Sequence, residues 1–173
     1  VNQKDIILGQ NDSKNQESTL SINDREEKLR LINKKIDEVS SETSATSLKI
    51  VDLNKQKLDV NTELETLNQS MAQLETDRVS LEEQLNSEGG NKKKLKERKR
   101  KLAKKITDAE DKKAQLLSEN YNLSKLIEED SQSEHNLIQQ LRELESEKIK
   151  LEKQESALKG HLETTGKLIE ESH

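Results

Sequence analysis

The sequence predicts an all-α fold, a long coiled coil, on three observations. Apolar residues recur with 3-4 spacing, without a slip, from Ile22 to Ile169. Only 28% of the 173 residues are hydrophobic and 38% are charged, with no Pro, Phe or Trp, so the chain has no material for a globular core. With Ile22 as heptad position a, 28 of the 44 a and d positions up to Ser172 are apolar, against 20 of the other 129 residues. The same composition, scattered, would indicate disorder; concentrated on one stripe, it indicates helices that need a partner along their length.

Residues 1–21 hold one apolar cluster, Ile6-Ile7-Leu8, within a polar tract of no sustained period, and are expected to be a linker or a frayed start. Ser21 or Asn23 suits a helix cap, because Asp24, Glu26 and Glu27 would then place negative charge in the first turn. A first coiled-coil segment spans 22–88. Its a residues include Ile22, Leu29, Ile36, Ile50, Leu64, Met71 and Leu85, and its d residues Ile32, Val39, Leu53, Val60, Leu67, Leu74 and Leu81. Arg25, Thr43, Thr46, Lys57 and Arg78 interrupt this seam. Residues 89–91, Gly89-Gly90-Asn91, form a hinge or a turn.

A second segment, 92–172, continues the spacing through Leu95, Leu102, Ile106, Ala109, Leu116, Leu123, Ile127, Leu137, Leu141, Leu144, Leu151, Leu158, Leu162 and Ile169. Its d positions are nearly all leucine, while its a positions include Lys92, Lys99, Lys113, Asn120, Glu134, Lys148 and Glu155. Polar a residues with leucine at d favour two strands, and Asn at a is a known device for fixing register in a parallel dimer. Asp130 and Glu134 place two consecutive acidic layers on the seam, where local opening is expected.

Two arrangements fit this pattern. In a parallel two-stranded homodimer the helix runs on through the glycines for about 225 Å. The a/d phase is unbroken from Leu85 to Ile106, as this arrangement requires, and a reversing loop would preserve that phase only by accident. In an antiparallel hairpin the chain reverses at Gly89-Gly90-Asn91, giving arms of about 100 to 120 Å. Charge favours this alternative: residues 92–105 carry ten basic side chains and Glu97, and a hairpin lays them against Glu75, Asp77, Glu82, Glu83 and Glu88. The parallel rod is the leading expectation, since surface pairs are worth only tenths of a kcal/mol each and lysine can extend its ammonium out of an a position.

The basic run, Lys92, Lys93, Lys94, Lys96, Arg98, Arg100, Lys101, Lys104 and Lys105 with Lys99, is the only segment suited to binding by charge. Without interleaved aromatics it suits an acidic protein better than nucleic acid or a membrane surface. His135, His161 and His173 lack the i, i+4 pairing of a helical metal site, Gly89-Gly90 lacks the surroundings of a phosphate loop, and carboxylates on a two-stranded coil lack a pocket. No catalytic, cofactor or metal site and no small-molecule substrate are expected. Leu117 and Ile138 at e, with Leu126 and Leu168 at g, broaden the apolar stripe and suggest docking of a further helix; Tyr121 at b faces outward.

The expected function is structural: a dimerising spacer and interaction scaffold, in an intracellular, cytoplasmic or nuclear setting, with itself and other proteins as partners. In general pattern the repeat looks like the rods of myosin tails, tropomyosin, endocytic and spindle scaffolds and vesicle tethers, with no motif that singles out one. The alternative resembles, equally generically, the antiparallel arms of chromosome-organising ATPases of the SMC type. A third expectation is charge-driven contact with nucleic acid or membrane through 92–105.

Overall fold

A computed structural model of the chain describes the backbone of residues 3–87 and 90–171 and the side chains of residues 21–87 and 90–166. It is all-helical. Helix α1 is Gln3–Asn86 and helix α2 is Lys92–Glu171, and the two pack against each other. α1 is already formed upstream of Ser21 and Asn23, so neither of these residues starts it. Glu88 and Gly89, and the side chains of Ile6, Ile7, Leu8, Leu168 and Ile169, lie outside what is described.

Burial follows the heptad. From Ile22 to Thr165, every described a and d side chain is buried or half-buried except Lys92 and Lys99. The positions that break the apolar pattern, Arg25, Thr43, Thr46, Lys57, Arg78, Lys113, Asn120, Asp130, Glu134, Lys148 and Glu155, are covered to the same degree class as many of the leucines. Helical spacing is what places them there: a stripe of two positions in seven must be sealed whatever residue occupies it.

The chain divides into two compact units, each containing a stretch of both helices. In the unit of residues 46–132, Leu53, Val60, Leu64, Leu116 and Leu123 form a buried cluster, with Leu67 and Ile127 packed against it. Leu116 is 2% exposed. In the unit of residues 1–45 and 133–173, Ile22, Val39 and Thr165 are buried. Thr165 is tolerated there because its hydroxyl donates to the His161 carbonyl at 2.9 Å, and Thr43 does the same to Val39 at 2.7 Å. Across the helices of this unit, Arg25 Nε donates to Gln154 Oε1 at 3.0 Å.

α1 stops at Asn86 and a separate helix begins at Lys92. α1 closes with Ser87, whose N–H bonds the Glu83 carbonyl and whose hydroxyl bonds the Gln84 carbonyl. Gly90 has φ of +88°, and Asn91 caps α2, its Oδ1 accepting from the Lys94 N–H at 3.3 Å and its carbonyl from the Leu95 N–H at 3.1 Å. Space around the Gly90 Cα is open, so only the positive φ demands glycine there.

The substitution Gly90→Ala therefore has opposite signs in the two arrangements. Where residue 90 is left-handed, alanine destabilises by about 1 kcal/mol or more; in a continuous helix it would stabilise by roughly the same amount. Urea unfolding of Gly90→Ala is expected to show a loss, with Asn91→Ala costing about another 1 kcal/mol through the lost cap.

Candidate interaction surface

The basic run forms the first turns of α2. Lys92, Lys93, Lys94, Lys96, Arg98, Arg100, Lys101, Lys104 and Lys105 are all exposed. Asn91 as cap fixes where the helix starts, and the helical repeat then distributes these cations around all faces. Arg100 pairs with Glu97 one turn earlier, Nη2 to Oε1 at 2.7 Å, and Lys99 approaches Glu82 of α1 at 4.0 Å. The other cations of the run make no ion pair among the described residues.

Of the acidic residues expected to answer this run, Glu75 and Asp77 are bonded within α1, and Glu82 is shared between α1 and Lys99. Arg78, at a seam position, binds Glu75 through both its Nε and Nη2 and Glu82 through Nη1 at 2.8 Å. These contacts hold the Glu75 carboxyl below its ordinary value and raise the guanidinium of Arg78 further above its own, the Glu75 hydrogen bond being the main cause in each case. Asp77 accepts from Gln73 at 3.0 Å. The run therefore keeps most of its positive charge unanswered along α2.

In the other unit the seam carries a different polar group. Glu155, its side chain only 13% exposed, binds Lys159 at 2.8 Å, and Lys159 also reaches Glu26 of α1 at 3.6 Å. The Lys159 hydrogen bond lowers the Glu155 carboxyl, and Glu155 in turn raises the ammonium of Lys159. An acidic residue at a is thus accommodated by an i, i+4 lysine that bridges to the facing helix.

Of the residues expected to broaden the apolar stripe, Leu117 and Leu126 are exposed and Ile138 is half-buried, while the Leu168 side chain lies outside what is described. Tyr121 is 69% exposed. Leu48, Val51 and Leu58 are also exposed, at outward f and b positions of α1 that carry no 3-4 signal because they lie off the stripe. Among the described residues no helix is long and apolar enough to cross a membrane, and no group of three or more His, Asp or Glu is placed to hold a metal.

No family model, curated protein or solved structure matches the chain, so the functional reading rests on its own geometry.

The Glu155 pair gives a pH dependence of definite sign. A carboxyl lowered in the folded state contributes stability above its unfolded value and loses it as pH falls through the folded one. Helicity of the native chain is thus expected to weaken as pH falls below about 4, where carboxylates titrate. In Lys159→Met the Glu155 carboxyl should titrate at higher pH than in the native chain, as read by NMR of its side-chain carbon; an unchanged titration would contradict the assignment.

Proposed function

We propose that the protein is a structural interaction element in which α1 and α2 form an antiparallel coiled coil within a single chain. One observation carries this: Arg25 and Glu26, early in α1, meet Gln154 and Lys159, late in α2, whereas Glu82, near the end of α1, meets Lys99, near the start of α2. Within residues 46–132 the same order holds: residues 68–75 of α1 line a cavity with residues 106–113 of α2, and residues 77–84 line one with residues 98–105. The break between Asn86 and Lys92, with left-handed Gly90, supplies the reversal such a coil needs. This favours the helical-hairpin alternative over the parallel rod. The likeness to the arms of SMC-type ATPases extends to that architecture alone.

The role we assign is spacing and protein contact rather than catalysis. Most of the described charged side chains stand on open helix faces rather than in an enclosed pocket, and the paired helices present their outer positions to other proteins.

A parallel homodimer is the second reading, and Asn120 is the observation in its favour. Its Oδ1 is buried without a hydrogen-bond partner. In a parallel dimer the same residue would meet its own mate across the a layer and pair with it. In the hairpin it lies in the stretch where Val60, Leu64, Leu116 and Leu123 form the core, and an unsatisfied amide there costs about 1 to 3 kcal/mol.

Absolute molar mass by light scattering separates the two. The hairpin predicts a mass near 19.8 kDa, and the dimer twice that. Asn120→Leu sharpens the test. In the hairpin it removes an unpaired polar group and raises stability by about 1 kcal/mol or more while the protein remains a monomer. In the dimer it would loosen register and allow higher oligomers.

A further inference from the structure

In two successive layers near the turn, the seam carries Arg78 and Lys99 at its a positions. Both direct their charge to Glu82, which occupies an e position: Arg78 Nη1 at 2.8 Å and Lys99 Nζ at 4.0 Å. The long side chains thereby leave the opposite, g side of the seam uncovered. There Leu81 and Leu102 floor an open groove of about 350 Å³. Its α1 wall is Asp77, Ser80 and Gln84, and its α2 wall is Arg98, Lys101 and Lys105. A second opening of about 360 Å³ shares Gln84 and Arg98 and extends the groove past Lys94 to Gly90 and Asn91.

Lys94, Arg98, Lys101 and Lys105 are spaced i, i+4, i+7 and i+11, so they form one ridge with steps of about 6, 4.5 and 6 Å. None makes an ion pair among the described residues. The facing wall carries one charge, Asp77, which is bonded to Gln73. The result is a cationic ridge beside a near-neutral one, with leucine between them and the positive end of α2 at one extremity.

We propose that this groove binds an acidic amphipathic helix of another protein, with carboxylates along one ridge and an apolar side chain set onto Leu81 and Leu102. Three features select a helix over other polyanions. The cation steps equal those of glutamates at i, i+4, i+7 and i+11 on a parallel or antiparallel partner. The leucine floor rewards an apolar side chain, which a phosphate backbone lacks. The sole aromatic of the chain, Tyr121, is not among the groove residues, so nothing in it stacks bases. The site rests on the intramolecular pairing proposed above, since residues of both helices line it.

The test uses the full chain and a fluorescein-labelled 18-residue helical peptide carrying Glu at i, i+4, i+7 and i+11 around a central Leu. A single-stranded oligonucleotide and phosphatidylserine vesicles serve as competing polyanions. Fluorescence anisotropy is measured for the native chain and for two variants of equal charge change. Arg98→Glu/Lys101→Glu/Lys105→Glu alters the ridge, and Lys93→Glu/Lys96→Glu/Lys104→Glu alters the other faces of the same turns. All six residues are exposed, and helicity and molar mass are checked on each sample.

The proposal expects peptide binding that falls about ten-fold or more in the ridge variant and less than about three-fold in the other. Replacing the central Leu of the peptide with Gln should also weaken it. Equal losses in both variants, indifference to the central Leu, or tighter binding of oligonucleotide or vesicles would overturn it, as would no binding by a helical monomer. A dimeric mass would instead overturn the intramolecular pairing, and the groove with it.

Discussion

Burial of a stripe only two residues in seven wide is the constraint on which this protein depends. Neither helix has a second apolar face, and with 38% of the chain charged there is no other way to remove leucine from water than to lay stripe against stripe. Leu116, Val60 and Val39 are buried because they face another stripe, not because a globular interior surrounds them. Continuity of the stripe matters more than the strength of any one contact. Helices of this length have little stability of their own in water without it.

The polar seam residues show how that constraint is reconciled with charge. Each is treated differently. Thr43 and Thr165 turn their hydroxyls back to the preceding turn, Glu155 takes a lysine one turn on, and Arg78 leans out to two glutamates. Lys92 and Lys99 remain exposed. Asn120 has a short, neutral side chain whose Oδ1 is buried without a hydrogen-bond partner, which is why it is the residue most informative about how the helices pair. Where the polar residues lean to one side, as Arg78 and Lys99 do, the opposite side of the seam opens.

Much of the helical organisation was legible in the 3-4 spacing, because helical geometry and the cost of exposing leucine leave few alternatives. The pairing direction was not legible. Parallel and antiparallel coils place the same a and d positions inward, and the unbroken phase from Leu85 to Ile106 is compatible with both. The positive φ of Gly90 and the capping by Asn91 are local conformational facts that the dipeptide Gly89-Gly90 only suggests. The basic run was visible as charge, but its ridge against Leu81 and Leu102 was not. That depends on Arg78 choosing Glu75 and Glu82, a competition among side chains that sequence spacing does not decide. Outward Leu48, Val51 and Leu58 were likewise missed, lying where no periodic signal points.

The central claim is that α1 and α2 pair with each other in one chain and in opposite directions. Since the native sequence has no cysteine, spin labels can be placed uniquely at Thr62→Cys and Ser118→Cys, both at exposed outer positions. Electron–electron dipolar spectroscopy would be run with the doubly labelled chain diluted in unlabelled protein. Antiparallel pairing predicts a narrow distance below about 30 Å, set by two adjacent helices and the label arms. A continuous helix would separate the sites by about 84 Å, and the absence of any short distance would contradict the account.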